Sequence, residues 1–215
     1  VIAVVDYGAG NLRSVELALE RLGVPHRRAP GPGALAGADG VILPGVGAAA
    51  SAMRGLDARG LAGALRAWEG PLLGVCLGMQ LLTERSYESD PDSGPGPVRC
   101  LGLIPGETRR IDVRAVGGAA PRLPHIGWNA TALRPDFLFE GLGPERHFYF
   151  LHSFRVACDE RLAIATTEHG EPFPAAVRSG SRVGVQFHPE KSGEAGLRVL
   201  ANFCREAGLA ARESR

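Results

Sequence analysis

Residues 71–85, PLLGVCLGMQLLTER, constrain the chain more than any other stretch. Leu72–Val75 is an apolar run that reads as a buried strand, and Leu77–Arg85 reads as the helix that follows it. Between them stands Cys76, with a glycine two positions to either side. A strand that becomes a helix across one residue strains the backbone there, and glycines at these spacings let neighbouring backbone pass where a Cβ would clash. Such a turn lifts its central side chain over the carboxyl edge of a sheet, where open α/β folds bind ligands. A helix N-terminus behind the sulfur favours the thiolate, the reactive form. The N–H of Leu77 would face an oxygen on any carbon bonded to that sulfur. This is a G-x-C-x-G form of the nucleophile elbow. The bland alternative is an ordinary strand–helix turn around a packed thiol, and this stretch alone leaves both open.

The rest of the first half repeats the strand–helix alternation. Val1–Val5 is a continuous apolar run that ends at a sharp turn, Asp6-Tyr7-Gly8-Ala9-Gly10. Leu12, Val15, Leu19 and Leu22 recur at helical spacing, and Gly23 stops that helix. Val41-Ile42-Leu43 is a second short strand, broken by Pro44-Gly45-Val46-Gly47, with weaker helices up to about residue 68. Apolar strands alternating with helices imply a parallel sheet covered on both faces. After the proline- and glycine-rich run Asp90–Val98, the chain reads as short strands: Thr108–Val113, His125–Trp128, Phe148–Leu151, Leu162–Thr167, Ala175–Val177 and Arg182–Gln186. Ser192–Ala207 closes it as a helix with Leu197, Leu200 and Phe203 on an inner face. The expected architecture is one α/β domain over residues 1–215, with a central mixed, mostly parallel sheet flanked by helices and antiparallel strands in its second half.

A nucleophile needs a base. In Arg182–Glu190, RVGVQFHPE, Val183, Val185 and Phe187 alternate as in a half-buried strand, and His188 and Glu190 follow at its end. Pro189 favours extended geometry at His188, and residues two apart in an extended segment face the same side. Glu190 can then hold one imidazole nitrogen and leave the other for Cys76, giving nucleophile, base and orienter. Alone, His-Pro-Glu is as well read as a loop histidine beside a surface glutamate; joined to the elbow it makes a thiol acyl-transfer site. The glycines of PGVG, at the end of another strand, allow an N–H to turn toward a developing oxyanion. The rival reading of PGVG, a phosphate cradle, lacks the P-loop lysine and the G-x-G-x-x-G pattern.

Composition excludes more than it proves. A net charge of +1, with acids and bases scattered, gives no sign of affinity for nucleic acid or membranes. No apolar run is long enough to span a bilayer, and Val1–Asp6 reads as a first strand rather than a signal peptide, so a cytoplasmic location is expected. Cys76, Cys100, Cys158 and Cys204 lie far apart, and neither they nor the six histidines show metal-ligand spacing, so no metal and no cofactor is expected. The last three cysteines read as small buried hydrophobes. Lys191 is the one lysine in the chain.

GVCLGMQLL and GVQFHPEKS together resemble the class I (triad) glutamine amidotransferases. With DYGAGNLRS (6–14), PGVG (44–47), PHIGWN (124–129) and YFLHSF (149–154), the chain is similar to the glutaminase-subunit family of imidazole glycerol phosphate synthases, over nearly its whole length. The resemblance implies hydrolysis of glutamine to glutamate and ammonia, with ammonia delivered to a (β/α)8-barrel cyclase subunit in histidine biosynthesis and no cofactor for the glutaminase step. It implies Cys76 as nucleophile, His188 as acid and base, and Glu190 as the group that holds His188. It implies an oxyanion hole from the N–H groups of Leu77 and the Val46–Gly47 segment, a segment that reorients when the partner's substrate binds. Gly47, Gln80, Ser153 and Phe154 match positions that hold the substrate's amino and carboxylate ends. Asn11, Trp128, Tyr149 and Lys191 match positions at the partner interface, although by residue type alone Trp128 and Tyr149 read as core and Lys191 as a solvated charge. Alternatives that keep the fold are a glutaminase serving another acceptor, such as pyridoxal phosphate or anthranilate synthesis, a stand-alone γ-glutamyl hydrolase or cysteine peptidase, and a binding domain without the reaction.

Overall fold

The computed structural model describes residues 1–88, 96–113 and 121–211. Most of the Asp90–Val98 run and of 114–122 lies outside them. The strands are β1 (Ile2–Val5), β2 (His26–Ala29), β3 (Gly40–Leu43), β4 (Leu72–Val75), β5 (Arg85–Ser86), β6 (Val98–Arg99), β7 (Glu107–Arg110), β8 (His125–Leu133), β9 (Glu145–His152), β10 (Phe154–Ala157), β11 (Ala163–His169), β12 (Glu171–Ser179) and β13 (Arg182–Val185). The helices are α1 (Leu12–Arg21), α2 (Ala49–Ala58), α3 (Leu61–Arg66), α4 (Leu77–Leu82) and α5 (Gly193–Glu206).

Continuous apolar strands are covered on both sides, as the pattern requires. In β1, Ile2 and Val4 enter one core while Ala3 and Val5 enter the other. The first core takes Val15 and Leu19 from α1 and Leu197, Leu200 and Phe203 from α5. The second takes Met53 and Leu56 from α2, Leu61 and Leu65 from α3, and Leu77 and Met79 from α4. Helix α1 ends in a Schellman motif: Gly23, at φ +67°, donates to the Glu20 carbonyl, and Val24 to that of Leu19.

Among the described residues nine strands form the main sheet, in the order β2-β1-β3-β4-β13-β12-β11-β8-β9. From β2 to β13 the pairings are parallel; from β13 to β9 they are antiparallel. This is the expected α/β layout with its antiparallel second half. A smaller sheet, β10-β7-β5-β6, adds to it; of the expected Thr108–Val113 strand it takes up Thr108–Arg110, and residues 111–113 lie outside it.

Two local expectations change. Helix α4 stops at Leu82 rather than Arg85, because the Thr83 hydroxyl donates to the Gln80 carbonyl at 2.7 Å and the chain leaves to pair as β5. Six residues are too few for a helix to persist alone. All six of α4 are buried, and at about 1.5–3 kcal/mol per large apolar side chain that burial outweighs the cost of so short a helix. Strand β2, HRRA, has no apolar run to announce it; it is an edge strand, where charged side chains guard against further pairing. Its Arg28 grips Glu16 of α1 through two hydrogen bonds of 2.6 and 2.9 Å.

Candidate active site

Cys76 has φ 54° and ψ −111°, and it is the only non-glycine with positive φ among the described residues. Such a conformation costs about 1–3 kcal/mol and persists only where surroundings hold it. Here the Cys76 N–H donates to the Val185 carbonyl at 2.8 Å, and the Cys76 carbonyl accepts from the Gln80 N–H at 3.3 Å. The flanking glycines are sterically required. A Cβ on Gly78 would lie 1.8 Å from the Leu43 carbonyl oxygen, and one on Gly74 would lie 2.7 Å from the Gly78 carbonyl.

Register explains how residues more than a hundred positions apart meet. Strand β13 runs parallel to β4 with Val185 opposite Val75, so the segment after β13 emerges beside the elbow. His188 arrives in extended geometry, φ −97° and ψ 97°, as its proline neighbour dictates. Its N–H donates to the Tyr149 carbonyl at 2.9 Å, and its own carbonyl accepts from the Ser192 hydroxyl at 2.6 Å. The His188 Nδ1 lies 2.8 Å from Glu190 Oε1, with both side chains buried. Burial by itself would keep this imidazole neutral. Cys76 and Glu190, both beside the ring, outweigh burial and raise His188 to about 10.

Cys76 and His188 open on a cavity of about 140 Å³ that Val46, Gly47 and Leu77 border on one side and Gln80, Ser153 and Phe154 on the other. Every residue expected to bind substrate or form an oxyanion hole therefore lies on one small space. Gln80 uses its amide hydrogens inward: Nε2 donates to the Phe154 carbonyl at 3.0 Å and to Gln186 Oε1 at 3.1 Å, leaving Oε1 as its acceptor. Glu88 also lines the cavity, and its Oε2 accepts from the Ala49 N–H at 2.8 Å, at the start of α2. Sequence reasoning missed Glu88: it sits between β5 and the Pro/Gly-rich run, with no motif around it. Below the 44–47 turn, a Cβ on Gly45 would come 3.1 Å from the Tyr7 hydroxyl. That hydroxyl is buried without an aligned hydrogen-bond partner; the Val46 amide acts on it from outside hydrogen-bond geometry. Burial, with Cys76 adding to it and Val46 opposing, pushes the phenol upward.

The outer side of β8 and β9 is apolar and open. Trp128 is 56% exposed, beside exposed Ile126 and Leu151, so the core reading of Trp128 does not hold. The Trp128 and Tyr149 rings meet edge to face at 6.3 Å, and Lys191 Nζ lies 5.9 Å from the Tyr149 ring centre. Asn11 stands at the start of α1, the helix packed against the 189–191 turn. Among the described residues no helix is long and apolar enough to cross a membrane, and Cys76, Cys100, Cys158 and Cys204 are free thiols.

A strained cysteine on a parallel strand, facing a histidine–glutamate pair from the next strand, defines the elbow-bearing α/β class of thiol enzymes. Residues 3–207 match the family model "Glutamine amidotransferase class-I", and the chain belongs to that family, as a glutamine amidotransferase. It is 46% identical to "Imidazole glycerol phosphate synthase subunit HisH" of Moorella thermoacetica, over 97% of this chain and 98% of that one. It is 44% identical to the HisH subunit of Desulfovibrio desulfuricans, over the full length of both. These relatives place it, more narrowly, among the HisH subunits of imidazole glycerol phosphate synthase. In fold it is similar to a crystal structure titled "glutamine amidotransferase" (TM-score 0.73, 23% identity, 97% of this chain and 100% of that one). It is also similar in fold to a glutamine amidotransferase from Thermotoga maritima (TM-score 0.60, 16% identity, 95% of this chain and 82% of that one).

Proposed function

We propose that this chain, as one domain, hydrolyses glutamine through Cys76, His188 and Glu190 and passes the ammonia to a (β/α)8-barrel cyclase subunit, which makes imidazole glycerol phosphate and an aminoimidazole carboxamide ribotide. The observation that carries this reading is that Cys76 and His188 line one cavity of about 140 Å³, with Glu190 Oε1 2.8 Å from His188 Nδ1.

The sulfur attacks the side-chain amide carbon of glutamine. Its oxyanion is met by the N–H of Leu77 and by the Val46–Gly47 segment, where Gly47, at φ +89° and with open space at its Cβ position, leaves the backbone free to turn. His188 gives its proton to the departing ammonia. Acylation then changes the base. The negative charge of the Cys76 sulfur is among the effects that raise His188, and a thioester sulfur no longer carries it. The imidazole pKa then falls, so His188 is neutral and available to take a proton when water must be activated to release glutamate. Glu190 holds the ring in place through both steps. The Glu88 carboxylate and Gln80 Oε1 are acceptors suited to the substrate's ammonium, with Ser153 and Phe154 at the same end of the cavity.

The outer patch of Trp128, Tyr149 and Lys191, with Asn11 on the adjoining helix, is the surface for the cyclase. Aromatic anchors and a single cation suit the centre of such an interface. The test is a glutaminase assay on the chain alone and with the cyclase and its ligand. A low rate alone and a strong rise in the complex is expected; a full rate in the isolated chain, indifferent to the cyclase, overturns the subunit reading.

A further inference from the structure

We infer that Gln186 is a further catalytic residue, whose side-chain N–H donates to the Cys76 sulfur and stabilises it whenever it carries negative charge; this rests on the glutaminase reading above. Gln186 follows β13 directly and is fully buried, with 0% exposure. Its Nε2 lies 3.7 Å from Cys76 Sγ, and its Oε1 accepts from Gln80 Nε2 at 3.1 Å.

The direction of that amide is fixed from outside. The Phe154 carbonyl can only accept, and it takes Gln80 Nε2 at 3.0 Å. With Gln80 Nε2 so placed, Gln186 must turn its oxygen toward Gln80 and its nitrogen toward the sulfur. The opposite rotamer would set two N–H groups against each other and a carbonyl oxygen against Cys76.

Apart from His188, the sulfur has a second polar neighbour that is unhelpful to an anion. The Leu151 carbonyl oxygen stands 3.7 Å from Cys76 Sγ, and it can pair with a thiol but repels an anion. The demand is greatest at deacylation. Water loses a proton to His188, its oxygen bonds to the thioester carbon, the C–S bond breaks and the electron pair returns to sulfur, while the proton stays on His188. An anion is then regenerated at a residue only 6% exposed, where the His188 imidazolium offsets part of the cost of burying charge and a further donor lowers the rest. Hydrogen bonds to charged groups are the stronger kind.

The test is the pH profile of Cys76 alkylation by iodoacetamide in the full chain, followed by peptide mass spectrometry in wild type, Gln186→Met and Gln186→Glu. Methionine keeps the length and removes the donor; glutamate keeps the shape and the acceptor for Gln80. The groups that face the sulfur from other elements, His188, Tyr7, Glu88 and His152, remain in every variant. The expected result is a rise of about one pH unit or more in the half-maximal pH of alkylation, with kcat in the cyclase complex lowered roughly tenfold or more. An alkylation profile that matches wild type in a folded variant overturns the inference. Should Gln186→Met fail to fold, the Gln186→Glu profile decides by the same criterion. Glutamine hydrolysis that survives Cys76→Ser would instead defeat the glutaminase reading, and the alkylation profile would still report on Gln186.

Discussion

The Tyr149 carbonyl accepts the backbone N–H of His188 at 2.9 Å, while the Tyr149 ring meets Trp128, 6.3 Å away on the open face of the sheet. Strand β9 thus joins the base to the proposed docking surface, and Leu151, two residues on, places its carbonyl at the Cys76 sulfur while its side chain is exposed. Trp128→Ala is expected to weaken cyclase binding by about 2 kcal/mol or more, roughly thirtyfold, as for a central aromatic anchor. Because Trp128 is more than half exposed, the melting temperature should change little. Titration calorimetry and a thermal melt measure the two effects.

Cys76→Ala removes glutamine as a nitrogen source and leaves the synthesis that uses added ammonia. The assay is product formation by the reconstituted complex with each source. Loss of the ammonia-dependent reaction would assign Cys76 a role in assembly.

Glu190→Gln keeps the shape of the orienting group and removes its charge. A fall in kcat on the order of 10²–10⁴ is expected. The His188 ionisation, held near 10 in part by Glu190, should move down because a partner favouring imidazolium is lost. Kinetics and an NMR titration of the His188 ring report these separately.

Gly78 and Gly63 make a contrast in stability. Alanine at Gly78 puts a Cβ 1.8 Å from backbone that cannot yield, so a loss above about 4 kcal/mol or failure to fold is expected. Gly63, inside α3, has nothing within 4 Å of the added methyl, and alanine there should stabilise by about 0.4–1 kcal/mol. Denaturant melts distinguish the two.

His152, on the cavity wall, and His125 beside it set an acid limit. Burial, with the charge of His169 adding to it, lowers His125 to about 4. Burial lowers His152 to about 3, opposed by its hydrogen bond to the Phe154 carbonyl and helped by the neighbouring histidines. The unfolded chain binds more protons below about pH 6.5, so their contribution is full above that pH and is lost as pH falls through 4 and 3. His188 runs the other way: its contribution is full below about 6.5 and is lost as pH rises through 10. The urea midpoint should therefore drop between pH 7 and 5, and His125→Gln should flatten that drop.

The parts legible in the sequence are those where one pressure acts alone. β1 and β4 are buried on both faces, so every residue is apolar; the elbow needs glycines for steric reasons; His188 is extended because proline follows it. What was hidden depends on neighbours brought by the fold. β2 is polar because it is an edge. The length of α4 is cut by the Thr83 hydroxyl and the pull of a second sheet. Trp128 has the composition of a core residue, and only the pairing of β8 with β9 at the sheet's end turns it outward. Glu88 reaches the cavity because α2 offers its first N–H there, and Gln186 because β13 runs beside β4.

The most direct measurement is an acid quench of the cyclase complex during turnover with glutamine, followed by peptide mass spectrometry of the chain. The mechanism predicts a glutamyl thioester on the peptide that carries Cys76, absent in Cys76→Ser. Turnover that continues with no acyl group on Cys76, or with the group on another cysteine, would contradict it.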